Sequence, residues 1–526
     1  MRTSLCVIAS LGSGLAGALA LAAGCGTVPD DCQARLNCMP SATAGSGGST
    51  INTLPECIPS ENKLPIDESC GVFVSASRGE DGAASGAKIT PFKTLSAALS
   101  KARATTRRVY ACAEAFSEAT VIDGAVEIYG GLDCNKGWLY VGATTKTSLT
   151  AQPAKIPLTL TKNTQGAKVL DVAVSAADAP ATSAGSSIAV IADHASVSFI
   201  RCDIKAGGGD AGTAGKTPTM PIGPDDGKPG NPEIKGNDGS NACSDTNGSP
   251  TPGGAQKKNT YCGTDADSPV GGYGGQGMVN VGGDGDSQTM SASTALGGKG
   301  QVDATWSCAT IGAPQGAHDG AFGAPGAGAK GDVIGTIDGS GYKGPSGAAG
   351  GAGKPGQGGG GGGGAKGKQP NCFGASGGGG GTGGCGGNGG GGGSAGGASI
   401  AIVSVGAQLT FDTVNISVGH GGAGGAGASG QQGARGGIGG IGGSGNGTAL
   451  TACNGGNGGN GGNGGGGGGG RGGHAIGIAY AGSTPDTKGV MFLDKGAPGP
   501  GGTGTDMSGN DGDPGLQVDM QKFASP

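Results

Sequence analysis

Between residues 70 and 206, apolar and polar positions alternate in short runs. Gly71-Val72-Phe73-Val74-Ser75 is the first, and others follow at 108–113, 119–122, 126–129, 147–151, 158–160 and 169–174, with turn residues between them. Such runs predict short strands. One helical pattern interrupts them over 91–102, where Phe92, Leu95, Ala98, Leu99 and Ala102 share a face and Thr94 stands where an N-cap belongs. Many short strands after one helix predict an all-β chain built as a parallel β-helix, with that helix capping its first coil.

An internal repeat carries the pattern into the second half. Ser187-Ile188-Ala189 leads on to Ala195, Phe199, Ile204, Gly207 and Gly209, and Ser399-Ile400-Ala401 leads to Ala407, Phe411, Ile416, Gly419 and Gly421; eight of 23 aligned positions are identical. A weaker third copy runs from His474 to Gly496. Each copy predicts one coil, and each is followed by glycine-rich chain that leaves the stack and returns. The glycine-rich mass is therefore expected as insertions between coils.

The first 200 residues hold 19 of the 128 glycines. In 421–445 glycine recurs at every third position. That period fits a threefold extended helix rising about 3.1 Å per residue, and neither an α-helix nor a pleated strand. Collagen is excluded, because the longest triplet runs are nearly free of proline, of which the whole chain has 27. Two forms stay open: polyglycine II-like helices paired through their backbones, or disordered loops. With 3% aromatic and 13% charged residues, the second half cannot assemble an ordinary apolar core.

Arg2 and the apolar run from Leu5 to Ala23 predict an export signal. It ends Leu21-Ala22-Ala23-Gly24-Cys25-Gly26, which resembles the lipobox of bacterial lipoproteins. The resemblance implies a lipid on Cys25, membrane attachment through it, and an outer-membrane, surface-exposed site in a Gram-negative cell. Removing Cys6 with the signal and Cys25 to lipid leaves 13 of the 15 cysteines, an odd number. An oxidising compartment pairs most of them, with Cys32–Cys38 and Cys57–Cys70 as possible small loops. Cys112 and Cys134 are 22 apart, about one coil, and are expected to bridge adjacent coils; Cys202 is expected to be the buried free thiol. The expected organisation is a signal peptide over 1–24, a tether over 25–69, the β-helix over 70–206, and a glycine-rich region with disulfide-stapled loops over 207–398. A returning coil follows over 399–420, then a glycine-rich insertion over 421–473 and a terminal coil and tail over 474–526.

Val74-Ser75, Gly79-Glu80-Asp81-Gly82 and Pro91-Phe92-Lys93-Thr94-Leu95 resemble the opening of pectin-lyase-like right-handed β-helix proteins. That resemblance covers roughly 70–205 and implies a right-handed parallel β-helix. With the lipobox and glycine-rich chain, the whole resembles surface lipoproteins of myxobacteria. The glycine-rich half resembles PGRS regions in composition.

Chemistry is sparse. A net charge of −5 argues against nucleic acid as a partner. The β-helix lyases use acidic calcium ligands and a basic residue that takes a proton. The best equivalent here is Asp193, His194, Arg201, Asp203 and Lys205, with the last three alternating as one outward strand face. A solvated coil face accounts for the same pattern. The four histidines lack metal-ligand spacing, so no metal or cofactor is expected. Gly392–Gly396 matches a nucleophile elbow by chance within glycine, Gly215-Lys216-Thr217 and 362–368 are incomplete phosphate loops, and 501–506 is an incomplete calcium repeat. The expectation is a non-catalytic structural or adhesive lipoprotein, with envelope or extracellular polysaccharide as a possible partner. The alternatives are a polysaccharide-binding or lyase-like β-helix and an ice- or mineral-binding surface.

Overall fold

The computed structural model describes residues 57–62, 64–219, 234–244, 248–262, 269–290, 293–505 and 509–525. The expected signal peptide, Cys25, Cys32, Cys38 and most of the tether lie outside them, as does Asp506. Among the described residues the chain is all-β with one α-helix. β1 (Val72–Val74) precedes α1 (Leu95–Arg103), whose N-terminus is capped by Thr94 accepting the Ala97 N–H. Strands then follow in sets of three. They are β2 (Arg108–Cys112), β3 (Ala115–Ser117) and β4 (Thr120–Ile122); then β5 (Glu127–Asp133), with the short β6 (Leu139–Tyr140) folded back on it, β7 (Thr147–Thr150) and β8 (Leu158–Leu160). β9 (Gln165–Leu170), β10 (Val172–Ser175) and β11 (Ser187–Asp193) make the next set. β12 (Ser196–Ile200) and β13 (Asp203–Lys205) are followed by two hairpins, β14 (Gln288–Met290) with β15 (Ser293–Ala295) and β16 (Thr336–Asp338) with β17 (Gly341–Lys343), before β18 (Ser399–Val405) completes that set. β19 (Gln408–Asp412), β20 (Val414–Val418) and β21 (Ala475–Ala481) follow, and β22 (Val490–Lys495) and β23 (Gln517–Lys522) end the chain.

The members of each set go to three different sheets in fixed order. The first sheet runs β1-β2-β5-β9-β12-β19, the second β3-β7-β10-β13-β20-β22, and the third β4-β8-β11-β18-β21-β23, all paired parallel along these paths. Inward residues stack in register. Val109, Ile128, Val169, Phe199 and Phe411 form one ladder on the first sheet, and Phe116, Leu149, Val174, Ile204, Ile416 and Phe492 form another on the second. Burial between the sheets supplies the driving force. The two repeat copies are direct neighbours: Ser187 pairs with Ser399, Phe199 with Phe411 and Ile204 with Ile416.

The corner between first and second sheets is a single residue in the left-handed region, Asp171, Arg201 or Thr413 on three successive passes. Asp171 thus breaks the run expected as one strand over 169–174 into β9 and β10. Residues 57–69 also differ from expectation. Ile66 is fully buried, Cys57 is bonded to Cys70, and both pack with Phe73, Tyr110 and Trp138 against the outside of the first sheet, so this stretch is not tether. Cys112 on β2 is bonded to Cys134, which opens a short 3-10 turn directly after β5. Among the described residues Cys202 is the free cysteine, and it is buried, its thiol pushed up to about 12 by that burial.

Three long excursions, 206–398, 419–474 and 496–516, all leave the second sheet and return to the third. The equivalent connections on earlier passes are short: 118–119, 151–157 and 176–186. Apart from the two hairpins, much of the described chain of the excursions forms a lattice of threefold helices. Gly347 donates its N–H to Gly393, Gly350 to Gly390, and so on by threes to Gly362 and Gly378. Gly393 through Gly378 donate in turn to residues 468 through 453, and these donate back to residues 348 through 363, closing a triangle of three helices. Backbone groups that a lone threefold helix leaves to water are thereby paired. Register is inherited from the strands. The Asp203–Asn415 pairing of β13 with β20 continues as Gly209 to His420, Gly212 to Ala423 and Gly215 to Ala426. The β18–β21 pairing continues as Gly396 to Arg471 and Gly393 to Gly468.

Composition tracks position in this lattice. Segment 346–364 carries Ser346, Ala349, Ala352 and Pro355 on one column, then Gly358, Gly361 and Gly364. The change falls where residues 270–276 cover that face: a Cβ on Gly358 would overlap the Val270 carbonyl oxygen, and one on Gly361 that of Tyr273. Glycine at every third place thus marks a helix with one free face, and unbroken glycine marks a helix enclosed on all sides. The described residues of 210–340, a range expected as stapled loops, supply lattice strands and the two hairpins instead. Disulfides Cys243–Cys372, Cys262–Cys385 and Cys308–Cys453 tie them to the central glycine helices.

Candidate functional site

The five charged residues singled out in the sequence do not converge. Asp193 and His194 pair with each other at 2.6 Å at the exposed corner after β11, where His194 has φ 51°. Arg201 is not on a strand with Asp203 and Lys205; it occupies the left-handed corner before β13. Its guanidinium makes two bonds, 2.8 and 2.7 Å, to the buried Asp171, which also accepts from Tyr140 at 2.9 Å. Those contacts raise the Arg201 pKa further above its ordinary value, the Asp171 bond foremost, so Arg201 is no proton acceptor. Asp203 accepts from Lys146 at 2.7 Å and from the Asn415 amide at 2.8 Å, and Lys205 is exposed beyond it. These are ties between stacked strands. The elbow-like Ser394 lies in a lattice helix and accepts the Thr213 N–H. No group of three or more potential metal ligands occurs among the described residues.

Two further polar groups, not foreseen from sequence, are structural in the same sense. Glu127, buried on the outer side of β5, receives Lys168, Arg108 and Tyr129 at 2.8, 3.0 and 2.9 Å. Burial alone would raise its pKa, but these donors outweigh that and hold it below the ordinary value. His474 is fully buried where the last excursions rejoin the third sheet. Its Nδ1 accepts the Leu516 N–H at 2.8 Å, so Nε2 carries the proton and donates to the Ile334 carbonyl at 2.9 Å. Burial lowers its pKa, the Ile334 bond opposes that, and the nearby Arg471 charge adds to the lowering. The folded state therefore binds fewer protons than the unfolded one just below the ordinary value of 6.5. This contribution is complete above pH 6.5 and declines as pH falls toward the lowered folded value. We expect urea midpoints to fall between pH 7.5 and 5, with the fall reduced in His474→Gln. His474→Ala should cost about 1–3 kcal/mol at pH 7.5 by orphaning two buried backbone groups. Equal pH slopes for parent and Gln variant would refute the assignment.

Three surfaces are exposed and ordered enough to meet a partner. The outer face of the second sheet presents two columns in register, Ser148–Ala173–Asp203–Asn415 and Thr150–Ser175–Lys205–Ser417. Four of these eight side chains carry hydroxyls, and all eight are at least part-exposed. By contrast, residues 57–70 pack on the outside of the first sheet and the β16–β17 hairpin on that of the third. The lattice presents rows of side chains at every third residue, about 9.3 Å apart, among them Asn454, Asn457, Asn460 and Asn463. At the lattice end far from the sheets lies an open cavity of about 690 Å³ lined by Cys308, Ala313, Pro314, Thr451, Asn454 and Asn457. Ile311 and Leu450, close in sequence to that lining, are exposed.

No family model matches the chain, and no curated protein or solved structure does so. Several disulfides fit an exported protein. No helix among the described residues is long and apolar enough to cross a membrane.

Proposed function

We propose that this chain is a non-catalytic structural or adhesive protein of the bacterial envelope, displayed at the cell surface through a lipid on Cys25. In this reading the three sheets form a right-handed parallel β-helix of the pectin-lyase-like kind. The glycine lattice projects from one of its corners as a rigid display platform. The observation that carries the reading is the lattice itself: three excursions leave one corner and pair their backbones in long runs, and three disulfides staple the first excursion internally and to the second. That architecture turns most of its larger side chains to an outer surface, because at the close-packed glycine positions a Cβ would overlap neighbouring backbone. The second reading, a polysaccharide-binding β-helix, is favoured by the hydroxyl-bearing, part-exposed outer face of the second sheet.

Whole cells expressing the chain with its own leader test the proposal. The protein should fractionate with outer membrane and be accessible to external antibody, and Cys25→Ser should release it. The purified oxidised protein should adhere to envelope or matrix material without generating new sugar ends. Depolymerisation of any polysaccharide would overturn the non-catalytic reading, and binding of soluble glycan lost in Asp203→Ala with Asn415→Ala would favour the second.

A further inference from the structure

Asn454, Asn457, Asn460 and Asn463 occupy one column of a lattice helix, and all four are exposed. Each uses Oδ1 to accept a backbone N–H from the adjacent helix: Gly442 at 2.9 Å, Gly439 at 3.0 Å, Gly436 at 3.2 Å and Gly433 at 3.0 Å. Nearer the sheets, the same glycine column has backbone partners. Gly421, Gly424 and Gly427 donate to the carbonyls of Ala497, Pro500 and Thr503. An asparagine side chain therefore supplies the acceptor that a strand supplies elsewhere on the column.

The asparagines also fill that strand's place. Their column continues toward the sheets as Gly469 and Gly472. A Cβ on Gly469 would overlap the Gly502 carbonyl oxygen, and one on Gly472 that of Gly499. Strand 497–505 in turn donates from Gly499 and Gly502 to Gly473 and Gly470. Farther out, the matching carbonyls of Gly464, Gly461, Gly458 and Gly455 receive no hydrogen bond among the described residues. The lattice site that 497–505 occupies thus extends past Thr505, with its acceptors open and its donors covered by asparagine.

We infer that this row is a stop: it ends lateral growth of the lattice, and the partner its edge fits once the row is removed is a glycine-rich threefold strand of a second copy of this chain. The bonding of 497–505 to the same two helices sets how that strand would dock. A β-sheet edge presents the same hazard, an unpaired backbone row that templates another chain. Here the period is three, and asparagine both satisfies the donors and obstructs the slot.

Two triple variants at 457, 460 and 463 separate these roles in the full oxidised chain. Asn→Ala removes the acceptor and leaves a Cβ in the slot, whereas Asn→Gly removes both. The alanine variant should keep the parent's sedimentation, with the amides of Gly433, Gly436 and Gly439 exchanging about tenfold faster. The glycine variant should at least double in mass as concentration rises, with those amides protected again in the assembled form. A glycine variant that keeps the parent's mass across the concentration series overturns the inference. So does an alanine variant whose three amides stay as protected as in the parent. Should the triple glycine variant not fold, Asn460→Gly alone must release the Gly436 amide by the same factor; unchanged protection there is equally fatal.

Discussion

Gly380→Ala is expected to destroy the glycine lattice while Ala352→Val leaves it intact. Gly380 is buried, donates its N–H to Gly272 at 2.8 Å, and would place a Cβ over the Gly359 carbonyl oxygen. The obstacle is backbone on a helix that is itself bonded on its other sides, so no rotamer change makes room. Overpacking in an ordinary core costs about 1–3 kcal/mol because side chains yield; here the cost should be about 4 kcal/mol or more, in the exceptional range. Ala352 lies on the free column of the same lattice and faces solvent, so added methyls there should change stability by less than about 0.5 kcal/mol. Urea titration with amide exchange across 347–393 reads both. A Gly380→Ala protein with the parent's midpoint would mean that these helices do not pack.

The second large effect concerns the staples. Ordering glycine costs more chain entropy than ordering any other residue, and among the described residues of the lattice only one small apolar cluster, around Trp306, offsets it. The three disulfides close separations of 129, 123 and 145 residues. In the chain-entropy account each lowers the freedom of the unfolded state by about 4–5 kcal/mol. Cys262→Ser with Cys385→Ser should therefore lose about 4 kcal/mol of lattice stability. Amide exchange should locate that loss in 345–393 and 453–470, with strand amides in 108–205 still protected. Uniform loss over both regions would show one cooperative unit, and no loss would show that backbone pairing alone suffices.

Much of this was legible in the sequence because the signals are periodic. Alternation gave the strands around Val109, Leu149 and Leu158, and the Ser187 and Ser399 copies proved to be register partners. Glycine at every third residue of 421–445 pointed to the close-packed edge. Other features were hidden for local reasons. β3 is three residues between glutamates, too short for a pattern. The break at Asp171 depends on one residue in the left-handed region, which aspartate tolerates but does not announce. Residues 210–340 read as loops because their Asp, Asn and Ser suggest turns. Several of those side chains instead cap lattice amides across helices, as Asp238 does for Ile441 and Asn241 for Ser444. The charged cluster misled because alternation in sequence does not reveal that Arg201 turns back to Asp171.

The lattice interior is mostly backbone, and that gives it a different thermal character from the sheets. Exposing apolar surface raises heat capacity, whereas exposing peptide groups lowers it. Unfolding the ladders of Phe199, Ile204 and their neighbours follows the first rule; unfolding the helices around Gly380 follows the second. The lattice's free energy of unfolding is therefore a less curved function of temperature, falling on heating without the loss on cooling that weakens an apolar core. In the cold, the glycine half outlasts the half that templates it.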